Sequence, residues 1–258
     1  ASYGEVGNDV YTVNGVAQRF LYEEKWSQIN NDYYFGNTGT TGIYESQYPN
    51  YGVSWERAHK YNLGVEFGLW NGLLNGNVDF FYEKRNDILT AYLTRPQWVG
   101  VAMAAGNLGE TKNKGMEIEL HHHKSIGKDF SYNVGLTFSH AANEIINMDE
   151  PPIKTAYRKR EGHPINQYFG LVCEGFVTQA DIDGGKLPVS TYTGNVKVGD
   201  LKYKDMNGDG FIDDRDETFI GHSDIPENTY ALTLGANYKG WGFEVMFQGV
   251  DHVSRYYD

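Results

Sequence analysis

Between residues 62 and 248 the sequence alternates apolar and polar side chains with period two, and that rhythm admits extended chain with two unlike faces but no helix. Leu63, Val65, Phe67 and Leu69 alternate with Asn62, Gly64, Glu66 and Gly68; Val78, Phe80 and Tyr82 alternate with Asn77, Asp79, Phe81 and Glu83. Turn chemistry at 71–76 joins the two runs into a hairpin. In a second hairpin, Met116, Ile118 and Leu120 alternate with Glu117, Glu119 and His121. The chain turns at 124–129, and Tyr132, Val134, Leu136 and Phe138 then alternate with Asn133, Gly135, Thr137 and Ser139. A third pairs Tyr230, Leu232, Leu234, Ala236 and Tyr238 with Phe243, Val245 and Phe247 across a turn near 240–242. These runs predict an all-β, antiparallel chain.

A soluble sheet with one wet face gives the same alternation, so a β-sandwich or lipocalin-like barrel stands beside a membrane barrel at this point. Connection length separates them. Turns within the hairpins are short, whereas long loops are expected at about 8–58, 84–112 and 149–228. Outer-membrane barrels have this asymmetry, with short periplasmic turns and long extracellular loops; structureless loops of that length argue against a compact soluble domain. With residues 1–6 read as a further strand end, about seven strands are visible, too few for a self-contained membrane barrel. The chain therefore reads as part of a larger one, beginning inside a strand and ending at Asp258 soon after another.

Composition agrees: 20 Tyr and 31 Gly against 7 Pro favour short strands and Gly-rich turns over packed helices. The formal charge of −12 argues against nucleic acid as a partner. A lone cysteine, Cys173, excludes an internal disulfide and is expected as a buried small hydrophobe. No run of 18 apolar residues offers a spanning helix, which leaves a β-barrel open. Tyr33, Tyr34, Tyr44, Tyr48 and Tyr51 are candidates for stacking on a sugar ring or, more plainly, for packing loop on loop.

The sharpest local motif is the run 205–216, which fits D-x-[DN]-x-D-G-x-I-D-x-x-D. Oxygen ligands of a twelve-residue calcium loop recur at positions 1, 3, 5, 7, 9 and 12, with glycine at 6 for the sharp turn. Asp205, Asn207, Asp209, Asp213 and Asp216 would supply side-chain oxygens and Phe211 its carbonyl, with Ile212 pointing inward as an anchor. Asp216 replaces the bidentate Glu of an EF-hand and no amphipathic helices flank the loop, so the expectation is a structural extracellular Ca2+ site; a metal-free acidic turn is the alternative. His121, His122 and His123 fall near a periplasmic strand end, where at most His121 and His123 share a face. Glu117 and Glu119 share the polar face, but no nucleophile or oxyanion hole accompanies them, and no catalytic constellation is present.

Several stretches resemble the SusC/RagA-like branch of TonB-dependent outer-membrane transporters. Ala1-Ser-Tyr-Gly-Glu-Val-Gly-Asn8 is similar to a strand ending in GxVGN, and Trp55-Glu56 with 61–67 to a WE…NLGVDF strand. Residues 107–117 resemble N-x-G-x-x-x-N-x-G-x-E, 161–170 an EGxPIxxxYG segment, and 199–221 GDxKYxDxNGDGxIDxxDxxxIG. Glu227-Asn-Thr229 departs from the family's usual approach to the next strand. The resemblance implies that 1–258 is part of a plugged barrel of about 22 strands, with the plug domain and the final strands lying elsewhere. It further implies a Gram-negative outer membrane with its lipid as surroundings, energising through TonB, and a SusD-like surface lipoprotein as lid, and it admits a dimer of such pairs. The cargo implied is an oligosaccharide or, alternatively, a peptide. A soluble, secreted, calcium-stabilised carbohydrate-binding β-protein is the reading from another class.

Overall fold

A computed structural model describes residues 1–13, 15–94, 97–152, 155–185, 187–192 and 194–257; Asp258, expected as the end of the chain, lies outside them. Seven strands build one antiparallel sheet in sequence order: β1 (Ser2–Asn8), β2 (Glu56–Leu69), β3 (Leu74–Thr90), β4 (Gly106–Ile126), β5 (Phe130–Asn147), β6 (Asn228–Tyr238) and β7 (Trp241–Asp251). The three expected hairpins are β2–β3, β4–β5 and β6–β7. The last turns on Lys239 and Gly240, both at positive φ, as a two-residue hairpin turn requires.

Register sorts the alternation into two faces, because direct cross-strand partners point to the same side of a sheet. One row runs Val65–Val78–Ile118–Phe138–Tyr230, and the neighbouring row Glu66–Asn77–Glu119–Thr137–Ala231–Gln248. The apolar face is not a soluble core. Val65 and Phe80 are 53% and 48% exposed, and Phe243 is 69% exposed. Aromatic residues collect toward its two ends, with the Tyr61 ring in contact with those of Tyr3 and Tyr82 at one and Phe130, Tyr132, Tyr238 and Trp241 at the other. That is an apolar band between aromatic girdles, as on the lipid side of a membrane barrel.

The rows also slip relative to the strand ends. Leu74, at the start of β3, lies on the row that reaches Val245 in β7, four residues beyond that strand's start at Trp241. Such stagger is the shear that tilts strands in a barrel wall.

Strands outrun the periodicity that predicted them. β3 continues to Thr90 and β4 begins at Gly106, so the loop expected at 84–112 shrinks to 91–105. Beyond the apolar band, ion pairs hold the strands together: Lys84–Glu110, Lys112–Glu144 at 2.8 Å, Lys60–Glu83 at 3.1 Å and Arg85–Glu56 at 2.7 Å. Where both faces are polar the alternation disappears while the backbone ladder continues. The turns are shorter than expected for the same reason, at 70–73 and 127–129.

The connections are folded rather than structureless. Segment 9–55 contains the hairpins Tyr11–Val13/Val16–Gln18 and Lys25–Phe35/Thr38–Tyr48. Leu21, Ala104 and Ala105 form a small apolar core, with Tyr11, Val53 and Leu89 against it, where 9–55 meets 91–105. Segment 148–227 holds three short strand pairs and a one-turn helix, Gln179–Asp183, capped by Thr178.

Candidate functional site

Several stretches quoted above as motifs prove to be the joints that fix these segments to the sheet. Gly7 faces the Trp55 ring so closely that a Cβ there would meet ring carbon at 2.8 Å. Asn107 donates to the carbonyls of Ser54 (2.8 Å) and Asp87 (2.7 Å) and accepts from the Ser54 amide (2.9 Å), tying the start of β4 to the end of β3 and to the chain entering β2. Gly115 leaves room for the Phe81 ring of its register partner. The His163 ring stacks on Phe219 with centroids 3.7 Å apart, and the Ile165 amide donates to Asn143 of β5 (2.7 Å). Two joints lacked any motif signal. Asp149 accepts from the Leu93 and Thr94 amides, and Glu150 from the amides of Arg160 and Glu161, so the carboxylates just after β5 bind two separate segments.

The polar face of the sheet carries an open groove of about 870 Å³ whose lining includes Glu66, Asn75, Asn77, Asp79, Glu119 and His121. Glu119 sits 2.6 Å from His121 and forms no part of a nucleophile or oxyanion arrangement. His121 and His123 share this face, while His122 points to the other and contacts the Tyr132 hydroxyl at 3.0 Å. This face is thus acidic and amide-rich, suited to water and to hydrogen-bonding neighbours.

In the segment 148–227, Ile212 and Val177 are buried beside Leu201, Tyr203 and Ser190, the small core of the segment. Ile212 is therefore the inward anchor the motif predicted. Phe211–Ile212 pairs in parallel with Val189–Ser190, which holds the second half of the 205–216 loop in place. Gly208 and Gly210 adopt φ of +75° and +84°, left-handed conformations that glycine takes without strain. Asp205 accepts from the amides of Gly208 (2.6 Å) and Gly210 (2.8 Å), and the Asn207 and Asp209 side chains from the amides two residues on.

Asp216 has no exposed surface and accepts from the amides of Met206 (3.0 Å), Asn207 (3.4 Å) and Asp213 (3.0 Å). Arg215 bridges Asp209 (2.8 Å) and Asp213 (2.6 Å) with one guanidinium nitrogen. That contact holds the Asp213 carboxyl below the usual carboxylate range, helped by the Arg215 amide, and raises the guanidinium in turn. The six expected ligands thus lie on one turn of chain, and two of their carboxylates converge on a cation supplied by the protein itself. Oxygen donors of this kind suit a hard cation such as Ca2+, but among the described residues no three His, Cys, Asp or Glu side chains converge into a metal-holding group, and Arg215 is the residue that motif reading passed over as a variable position.

Two expectations for loop residues need correcting or sharpening. Cys173, expected as a buried small hydrophobe, is an exposed free thiol on the short strand Cys173–Phe176, three of whose four residues are exposed. Tyr33, Tyr34, Tyr44, Tyr48 and Tyr51 are all exposed, and Tyr51 donates to Glu24 (3.1 Å).

A family model described as "TonB dependent receptor-like, beta-barrel" matches residues 15–258. TonB-dependent receptor P26 of Formosa agariphila is 27% identical over 96% of this chain and 25% of its own length. TonB-dependent receptor SusC of Bacteroides thetaiotaomicron is 24% identical over 89% of this chain and 23% of its own. The chain spans about a quarter of the length of these curated relatives. Among solved structures, the RagAB peptide importer in its "open-open" state superposes with a TM-score of 0.65 at 20% identity, over 97% of this chain and 25% of that one; at such identity the likeness is one of fold. The relatives bear the names of receptors and not of enzymes, and with the apolar-out, polar-in sheet this places the chain in the TonB-dependent receptor β-barrel family.

Proposed function

We propose that this chain is a wall segment, with its extracellular loops, of a SusC/RagA-like transporter that takes up nutrients through the outer membrane by way of TonB. The observation that carries the reading is the division of one continuous sheet into an exposed apolar face between aromatic girdles and a polar face lined by Glu66, Asn77, Asp79 and Glu119. The apolar alternates touch lipid and the polar alternates line the lumen, where the plug of the parent polypeptide would lie. Segments 9–55, 91–105 and 148–227 form part of the mouth beneath a SusD-like surface lipoprotein.

Oligosaccharide is the favoured cargo. Exposed tyrosines in 9–55 and Trp98 in the adjoining segment offer flat faces for sugar rings, and the groove is lined by side chains that hydrogen-bond hydroxyls. In the same proposal the 205–216 loop holds a structural Ca2+ through Asp205, Asn207, Asp209, the Phe211 carbonyl, Asp213 and Asp216, stiffening part of the longest segment by joining the two ends of 205–216 through one ion. Arg215 supports this by marking where positive charge is already accommodated.

Purification of the intact parent protein from detergent-solubilised outer membrane, with mass spectrometry of whatever copurifies, tests the reading. Recovery of a barrel chain with a surface lipoprotein and bound glycan is the expected result. Bound peptide in place of glycan reassigns the cargo, and recovery of a soluble monomer without detergent removes the membrane assignment in favour of a secreted carbohydrate-binding protein.

A further inference from the structure

Strands Lys25–Phe35 and Thr38–Tyr48, eleven residues each, rise from the loop between β1 and β2 as a hairpin. They belong to a three-stranded sheet whose third member is the two-residue strand Ala102–Met103, paired to Gln47 and Tyr48. Ala102–Met103 comes from the connection between β3 and β4, so the covered side of the hairpin is the side toward those strands. Its other side, the backbone edge of Lys25–Phe35, has no strand partner among the described residues.

Register places Ile29, Tyr33 and Phe35 on one face with Tyr44, and these four are 45%, 63%, 77% and 49% exposed. A hairpin of two strands is marginal in water on its own, and four large exposed side chains grouped on one of its faces form a surface that proteins cover. The position of the hairpin decides what covers it. It emerges beside β1, the outermost strand of the seven-stranded sheet, whose own far edge is also unpaired among the described residues. The curated relatives are about four times as long as this chain. Closing such a sheet into a barrel sets another strand of the parent polypeptide against β1, and that strand's extracellular loop then rises directly beside Lys25–Phe35.

We propose that the face formed by Ile29, Tyr33, Phe35 and Tyr44, with the free edge of Lys25–Phe35, is the docking surface for the adjoining extracellular loop of the same parent polypeptide. Tyr33 and Tyr44 are thereby assigned to loop packing, leaving Tyr34, Tyr48 and Tyr51 to meet cargo. The inference rests on membership of the barrel family and is independent of cargo identity.

The test places photoreactive p-benzoylphenylalanine at Phe35 in the full-length parent, irradiates intact outer membranes, and identifies the linked peptide by mass spectrometry. A link to a peptide of the parent chain outside residues 1–258, on a band that runs as the single polypeptide, is expected. A link to a lipoprotein or to a second copy, a link confined to residues 1–258, a lipid adduct, or no adduct overturns the proposal. A lipoprotein link would do so while leaving the transporter reading intact, whereas isolation of a soluble monomer would remove both. The same probe at Tyr51, 76% exposed and off the hairpin, gives the background, and equal capture of that loop peptide from both positions counts against the surface.

Discussion

Arg215 and the carboxylates around it make the 205–216 loop a competition between an internal cation and an external one. One guanidinium nitrogen contacts Asp209 and Asp213, two of the proposed ligands, so bound Ca2+ has to displace it or share them. Arg215→Gln removes the competitor while keeping a polar side chain, and is expected to tighten Ca2+ binding several-fold in calorimetric titration of the parent protein. Asp213→Asn removes a ligand charge and is expected to weaken it at least tenfold. Loss of affinity in Arg215→Gln would mean that the arginine organises the ligands instead of opposing the ion. The same pair sets a pH dependence. The folded Asp213 carboxyl is held low by Arg215, so the stability it contributes is fully present above the unfolded value of about 3.9 and is lost as pH falls through the lower folded value. In metal-free protein, hydrogen-exchange protection of 205–216, corrected for intrinsic rates, should therefore hold from pH 7 to 5 and fall progressively only below about 4; a loss centred near neutrality would implicate another group.

Strands were legible in the sequence where one face is apolar and the other polar, and illegible where both are polar. Ile118 sits in the middle of β4 on the apolar row, and its neighbour Glu119 on the polar row; under the proposed function one residue of sequence separates hydrocarbon from lumen. Ile118→Lys is expected to destabilise the barrel by about 2–4 kcal/mol, the cost of a cation near the membrane midplane, and Glu119→Lys by far less. Urea-driven unfolding into lipid vesicles measures both, and equal losses would place the two residues in similar surroundings. Above the band the code changes from alternation to charge pairing. Lys84, Glu110, Lys112 and Glu144 hold β3, β4 and β5 together with no apolar rhythm to announce it, which is why a loop was expected where strands continue. In the acidic loop the inward Ile212 and the glycine turn at Gly210 could be read from spacing, because the motif is one run of twelve consecutive residues. Asp149 and Glu150 could not be read as joints, since their partners lie ten or more residues away along the chain and no motif spacing announces them.

At the scale of the whole molecule, short turns and long folded segments define two opposite ends of the sheet, and the proposed function requires the long ones to face the cell exterior. The turns at 70–73, 127–129 and 239–240 all lie at one end, and 9–55, 91–105 and 148–227 at the other. Cys173 makes this arrangement testable without engineering a probe, because it is the chain's one cysteine, is free, and is exposed within the longest of these segments. A membrane-impermeant maleimide added to intact cells should label Cys173, with Cys173→Ser as the control that accounts for any thiols elsewhere in the parent. A second variant carrying Cys173→Ser and Gly127→Cys moves the thiol to the turn between β4 and β5, where the glycine's surroundings leave space for a side chain. That turn has φ of +66° at Gly127, so a non-glycine residue there costs about 1 kcal/mol, within what a barrel tolerates. Its thiol should stay unlabelled until the outer membrane is permeabilised. Labelling of both in intact cells would mean the sheet does not cross a sealed membrane, and labelling of Gly127→Cys alone would mean that it crosses with the opposite orientation.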